Sequence, residues 1–310
     1  MNQPVRLSND RVSIEILPLG ATLHRFEVRE PGGGLRNIVL SRTDPDRTDD
    51  SYLGATVGRL ANRVDGSQVT IDGVPHDLAP NEGANQLHGG PGGFSEVVWD
   101  VTEVGEDRVV LHLVSPDGDQ GYPGRMEVTA AYSLLPDGAE VVYSATTDAP
   151  TVVNLTTHPY FILGDAGIED HVVTAPTSHY TPTRDDLIPT GELADVAGTA
   201  FDLRAPRVVG EVIAEAVATG LARKGGVDQN FAIAGTGLRE HVRLSGPSGL
   251  TLVVRSDAPG LQLYSGEHLG RAGLAIEPQG FPDAPNHPGF PPVDLLPGQE
   301  YRATTQWLIG

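Results

Sequence analysis

The dominant hydrophobic period along the chain is two. Val12, Ile14 and Ile16 alternate with Ser13 and Glu15. Val109, Leu111 and Leu113 share one side of a second segment. Met126, Val128, Ala130, Tyr132 and Leu134 alternate with Glu127, Thr129, Ala131 and Ser133. Val141, Tyr143 and Ala145 repeat the pattern, as do Leu250, Leu252 and Val254, and then Tyr301, Ala303, Thr305 and Trp307. Successive side chains of a strand point to opposite faces, so each run predicts a strand with one buried face. Asp72-Gly73, Pro116-Asp117-Gly118, Pro136-Asp137-Gly138 and Pro297-Gly298 supply turns between such runs. One stretch, Glu211 to Ala222, reads as helix; it is Ala-rich, and Gly220 weakens its last turn. Many strands, one helix and no βαβ alternation predict an all-β, antiparallel sandwich or barrel. No low-complexity linker or short repeat divides the chain, so one domain is expected over residues 1–310.

Composition supports that picture and removes several chemistries. The 38 glycines and 25 prolines favour turns and strands over helices. Net charge is −20, from 41 acidic and 21 basic residues. Such a surface repels phosphate backbones and anionic lipid, so neither a nucleic acid nor a membrane is expected as partner. Lys224 is the single lysine; a Walker-type phosphate loop is absent, and Lys224 is the one possible Schiff-base residue. With no cysteine, disulfides, thiol nucleophiles and zinc-thiolate sites are excluded. That fits a reducing compartment. The N-terminal stretch shows no apolar signal core, and no run reaches the roughly 18–20 residues of a membrane span. A cytoplasmic location is expected.

Five stretches escape the strand periodicity and read as loops. They are 58–63, 87–90, 154–161, 226–231 and 275–279. Together they hold His88, His158, Asp228, Glu277, Arg63 and Asn62 among Gly, Pro and aromatic residues. If these converge, the set suits a neutral polyol. Carboxylates accept from hydroxyls, Arg and Asn donate, and aromatic rings cover the apolar face of a sugar. A His beside a Glu also forms an acid–base pair able to move one proton off and one on. Structural readings stand beside each residue: His88 and His158 as turn histidines, Asp228 as a turn cap, Asn62 and Arg63 as a surface pair, Glu277 as a buried paired carboxylate. The other eight histidines have no matching partner in sequence. No HxxxH or HxH spacing occurs, so no metal site is expected.

In these stretches the chain resembles the aldose 1-epimerase (galactose mutarotase) family, from about Gly20 to Trp307. A GRxANR pattern is met by 58–63, an LHGG…GF pattern by 87–90 and Gly93-Phe94, and an NLTxHxYF pattern by 154–161. An IPTGE…V.GT.FD pattern runs from Ile188 to Asp202, and PDAxNHPxFP…LxPGxxY from Pro282 to Tyr301. The resemblance implies a large antiparallel β-supersandwich with sugar in an open cleft. It implies Glu277 as general base and His158 as general acid, with Asn62, Arg63, His88, Tyr160, Asp228 and Gln262 binding the sugar. It implies anomer interconversion of a free aldohexose such as galactose or glucose, no cofactor, and a monomer or homodimer. The chain departs from the family at Thr157, where Asn is common, at Val227 and Gln229, at Pro278, and at Glu267, an extra carboxylate. These departures bear on sugar preference. A hexose-6-phosphate 1-epimerase and a non-catalytic carbohydrate-binding protein are the competing readings. A glycosidase using Glu277 and Asp228 as two carboxylates about 5–9.5 Å apart is a third.

Overall fold

The computed structural model describes residues 3–30, 33–48, 51–223 and 225–310. Lys224 lies outside them. Every pairing between its strands is antiparallel, and one α-helix occurs among the described residues, as the period-two pattern predicts.

The alternating runs assemble mainly into one nine-stranded sheet. Its centre is formed by Arg108–Ser115, Met126–Leu135, Gly138–Thr147, Tyr301–Ile309 and Thr251–Ser256, side by side. Val109, Leu111, Val128, Ala130, Tyr132, Val141, Tyr143, Leu252, Val254 and Trp307 are all buried on its inner face. The Val12–Leu17 strand lies in a separate four-stranded sheet. Its Ile14 and Ile16 join the same continuous core as Val128 and Val141. Polar bonds tie the layers: the Tyr132 hydroxyl donates to the Ala21 carbonyl at 2.8 Å, and the Thr56 and Tyr143 hydroxyls meet at 2.9 Å.

A six-stranded sheet has the order Tyr160–Phe161, Leu274–Gln279, Gly260–Tyr264, Asp228–Ile233, Thr177–Tyr180, Ala194–Asp195. Phe161, Phe231, Leu261, Leu263, Leu274 and Ile276 belong to the same core as the nine-stranded sheet. Here the sequence reading needs correction. Stretches 226–231 and 275–279, read as loops, are strands, and 154–161 contains two short ones. All six residues of Leu274–Gln279 are buried. A strand covered on both faces has no wet side to mark the period, which is why alternation is missing.

The helix spans Val209–Ala218, two residues earlier at its start than expected and four earlier at its end. Gly220 and the β-branched Thr219 C-cap stop it before Leu221. No helix among the described residues is long and apolar enough to cross a membrane.

Candidate active site

The register of the six-stranded sheet places three predicted residues together. Gln262 pairs with Glu277 across one strand pair and with Asn230 across the next, and Tyr264 faces Asp228. Tyr160 pairs with Ala275, on the same side of its strand as Glu277. Residues two apart on a strand share a face, so Glu277, Gln262 and Asp228 all project to one side.

The other residues arrive on the connections opposite. The short strand Arg63–Val64 pairs with Gln86–Leu87, which sets His88 beside Asn62. The His88 N–H donates to the Asn62 carbonyl at 3.0 Å, and the Asn62 N–H donates back to His88 Nδ1 at 3.1 Å. That second bond requires an unprotonated Nδ1, so the neutral ring carries its proton on Nε2. The following Gly89, with φ +89°, passes so close to Gly58 that a Cβ would lie 1.8 Å from its carbonyl oxygen. His158 is held through its backbone, its N–H on the Ala55 carbonyl at 2.9 Å and its carbonyl on the Gly54 N–H at 3.0 Å.

These elements enclose a cleft of about 530 Å³. Seven of the eight predicted residues line it: Asn62, Arg63, His88, His158, Tyr160, Asp228 and Glu277. Gln262 does not. Its Nε2 donates to Asp228 Oδ1, beside the cleft. At the centre, His158 Nε2 lies 3.4 Å from Glu277 Oε1. Both side chains are almost fully buried, and Glu277 Oε2 and His158 Nδ1 have no hydrogen-bond partner. The His88 ring stands edge-on to His158 with centroids 5.3 Å apart, and the Tyr160 ring covers the histidine at 4.9 Å. Arg63 grips Glu82 with two nitrogens at 2.6 and 2.9 Å and reaches Asp228 at 3.4 Å. This bidentate fork fixes the guanidinium at the cleft wall.

Burial sets the protonation of the pair. It drives the Glu277 carboxyl well above the usual carboxylate range, with the Asp228 charge adding to the effect and Arg63 opposing it. It lowers His158 to about 4 and His88 well below an ordinary histidine. Burial thus disfavours the charged form of each partner, and one proton transfer between two groups in contact interconverts the neutral and the ionised pair.

Ligand atoms of His88, His158 and Glu277 lie within 4.8 Å of one another, a grouping that could hold a metal ion. Three distant segments build it, so motif spacing gave no sign of it. A first-row metal with ligands at 2.0–2.2 Å brings their atoms to about 3.4 Å apart. The His158–Glu277 separation meets that distance.

Sequence reasoning missed Tyr52, Glu82, Leu187, Arg223, Tyr264 and His268, which also line the cleft. Tyr264 was legible, because it stands two residues from Gln262 on one strand face. Several of the eight other histidines have partners, among them His171, whose Nε2 accepts from the Leu163 N–H at 2.8 Å. His268 Nδ1 bonds the Tyr264 hydroxyl at 2.7 Å and its Nε2 bonds Ser51 at 3.0 Å, and His287 lies 3.1 Å from Asp283.

Comparison with known proteins agrees with this geometry. The family profile described as aldose 1-epimerase matches residues 3–307. The galactose mutarotase of Bos taurus is 39% identical over 323 residues, covering 97% of this chain and 92% of its own length. The aldose 1-epimerase of Escherichia coli strain K12 is 36% identical over 332 residues, covering 98% and 95%. Among solved structures, the galactose 1-epimerase of Lactobacillus acidophilus NCFM superimposes with a TM-score of 0.87 at 30% identity, covering 99% of this chain and 94% of that one. The aldose epimerase homologue of C. elegans does so with a TM-score of 0.92 at 26% identity, covering 100% and 99%.

Proposed function

Because the chain belongs to the aldose 1-epimerase family, we propose that its cleft interconverts the α and β anomers of free aldohexoses such as galactose or glucose, with Glu277 and His158 as the acid–base pair. The observation that carries this reading is the 3.4 Å contact between a buried imidazole and a buried carboxyl at the base of an open, polar cleft.

The reaction runs from the ionised pair, with Glu277 as carboxylate and the proton on His158. Hydrogen bonds from sugar hydroxyls, and the nearby Arg63 charge, favour that carboxylate. Glu277 takes the proton of the C1 hydroxyl as His158 gives its proton to the ring oxygen. The C1–O5 bond breaks, C1 becomes the carbonyl carbon, and the electron pair of the broken bond stays on O5 as it is protonated. Rotation about C1–C2 presents the other carbonyl face. The reverse transfers close the ring as the opposite anomer and return each proton to its origin. Nothing is oxidised or reduced. Arg63, Asp228 and the Nε2–H of His88 hold the sugar so that its ring oxygen meets His158, a positioning task with a large effect on rate.

Charge supports a neutral substrate. Four carboxyl groups line the cleft (Glu82, Asp228, Glu267 and Glu277) against two guanidiniums, and Arg63 is already engaged by Glu82. A sugar phosphate would need free cations there. The test is polarimetry on freshly dissolved α-D-galactose, α-D-glucose and glucose 6-phosphate in weakly catalytic buffer. Faster approach to the same final rotation with the free hexoses, and not with the phosphate, is the expected result. Acceleration confined to the phosphate would overturn the substrate assignment, and binding without acceleration would overturn catalysis.

A further inference from the structure

One cleft carboxylate has no part in the acid–base pair or in the Arg63 clamp. Glu267 follows the strand Gly260–Tyr264 and faces the same cleft as Asp228 and Tyr264. Its side chain is held inward: Oε1 accepts from the Ser265 hydroxyl, whose oxygen also receives the Val227 N–H at 2.8 Å. The carboxylate lies directly over Gly226, where any Cβ would sit 1.4 Å from Oε1. Glycine there leaves room for the acid, and Ser265 aims it. Its nearest cation, Arg271, stays 3.7 Å away on the Oε1 side. Burial raises the pKa of Glu267, the Ser265 hydrogen bond and Arg271 oppose that, and the Asp228 charge adds a smaller upward push.

Resting on the proposed sugar chemistry, we propose that Glu267 is a specificity-determining residue that admits aldoses carrying an ammonium group, the aminodeoxy sugars, and rejects those carrying a carboxylate. An ammonium offers three donors. Glu267 Oε2 and the Asp228 carboxylate would receive them in place of hydroxyl donors, as charge-assisted bonds of about twice the strength of neutral ones. A uronic acid carries its carboxylate at C6, not at the C2 position of the ammonium, and is disfavoured by the summed negative charge of Glu267 and Asp228 across the cleft.

The test is polarimetric kcat/KM for α-D-galactosamine hydrochloride, α-D-galactose and α-D-galacturonate, at a pH where the amine is protonated, in wild type, Glu267→Gln and Glu267→Asp. Wild type should turn over galactosamine at least as efficiently as galactose and galacturonate far more slowly. In Glu267→Gln the galactosamine-to-galactose ratio should fall at least tenfold, mainly through KM, while the galacturonate-to-galactose ratio rises. Glu267→Asp should restore part of the galactosamine preference. Ratios that stay constant across the three proteins would overturn the proposal, as would rejection of galactosamine by wild type. Failure of wild type on galactose itself would instead strike the underlying anomerase reading.

Discussion

The nine-stranded and six-stranded sheets share one hydrophobic core but use polar groups in opposite ways. In the nine-stranded sheet, polar residues face outward and alternate with an apolar inner face, as Met126–Leu135 shows. In the six-stranded sheet, the strand Leu274–Gln279 is buried along its whole length and still carries Glu277 and Gln279. Burying an ionisable or amide group is costly unless it is partnered. Glu277 Oε2, Gln262 Oε1 and both amide atoms of Gln279 are buried without a partner. The six-stranded sheet thus holds polar groups at a cost to its own stability, and one of them, Glu277, faces the cleft, where a substrate's hydroxyl would complete it.

Four changes break or sharpen that contrast. The largest effect belongs to the six-stranded side. His158→Gln should lower kcat by about 10²–10⁴-fold, the usual contribution of one general acid–base group, while near-UV circular dichroism stays native. Second, Asp228→Ala should act mainly on binding. It removes charge-assisted bonds to hydroxyls worth about 1.5–3 kcal/mol, so KM for galactose should rise roughly tenfold or more, with a smaller change in kcat. An unchanged KM would place Asp228 away from the sugar.

The nine-stranded side should respond the other way. Leu111 is fully buried. Leu111→Ala should cost about 2–5 kcal/mol of stability in denaturant unfolding and leave kcat per folded molecule within about twofold of wild type. The smallest effect concerns His241, a polar intruder in the same sheet. It is buried, and burial, with Arg239 nearby, lowers it to about 3 against a weaker opposing bond to the Ser256 backbone. The unfolded chain binds its proton near pH 6.5 and the folded one does not, so this residue draws stability down as pH falls from 6.5 toward 3. His241→Leu should remove that part of the acid sensitivity. Its melting temperature relative to wild type should climb as pH is lowered, and a constant difference would show that His241 does not titrate with unfolding.

The same contrast explains what could be read from sequence. Every alternating run falls on a strand, and most, such as Met126–Leu135, have one face in the core and one toward solvent; Val12–Leu17 is buried on nearly all sides. Other strands buried on both faces read as loops, and the site sits on them. The convergence of His88, His158, Asp228 and Glu277 came from motif resemblance, since no spacing rule joins residues brought together by strand register. Glu82 carried no local signal at all; its role appears in its bidentate hold on Arg63. Gln262, named with the sugar-binding residues by resemblance, donates to the Asp228 carboxylate, a bond that no motif announced. Composition could not foresee that burial would raise the pKa of Glu277 and lower that of His158.

The central claim is that a carboxyl buried in the six-stranded sheet is the proton acceptor of anomer exchange. Polarimetry of wild type and Glu277→Gln on fresh α-D-galactose tests it most directly, because glutamine keeps the shape and removes the base. The account predicts that the variant folds, binds galactose and approaches the final rotation hardly faster than buffer alone. A folded Glu277→Gln protein that mutarotates galactose at close to the wild-type rate would contradict it.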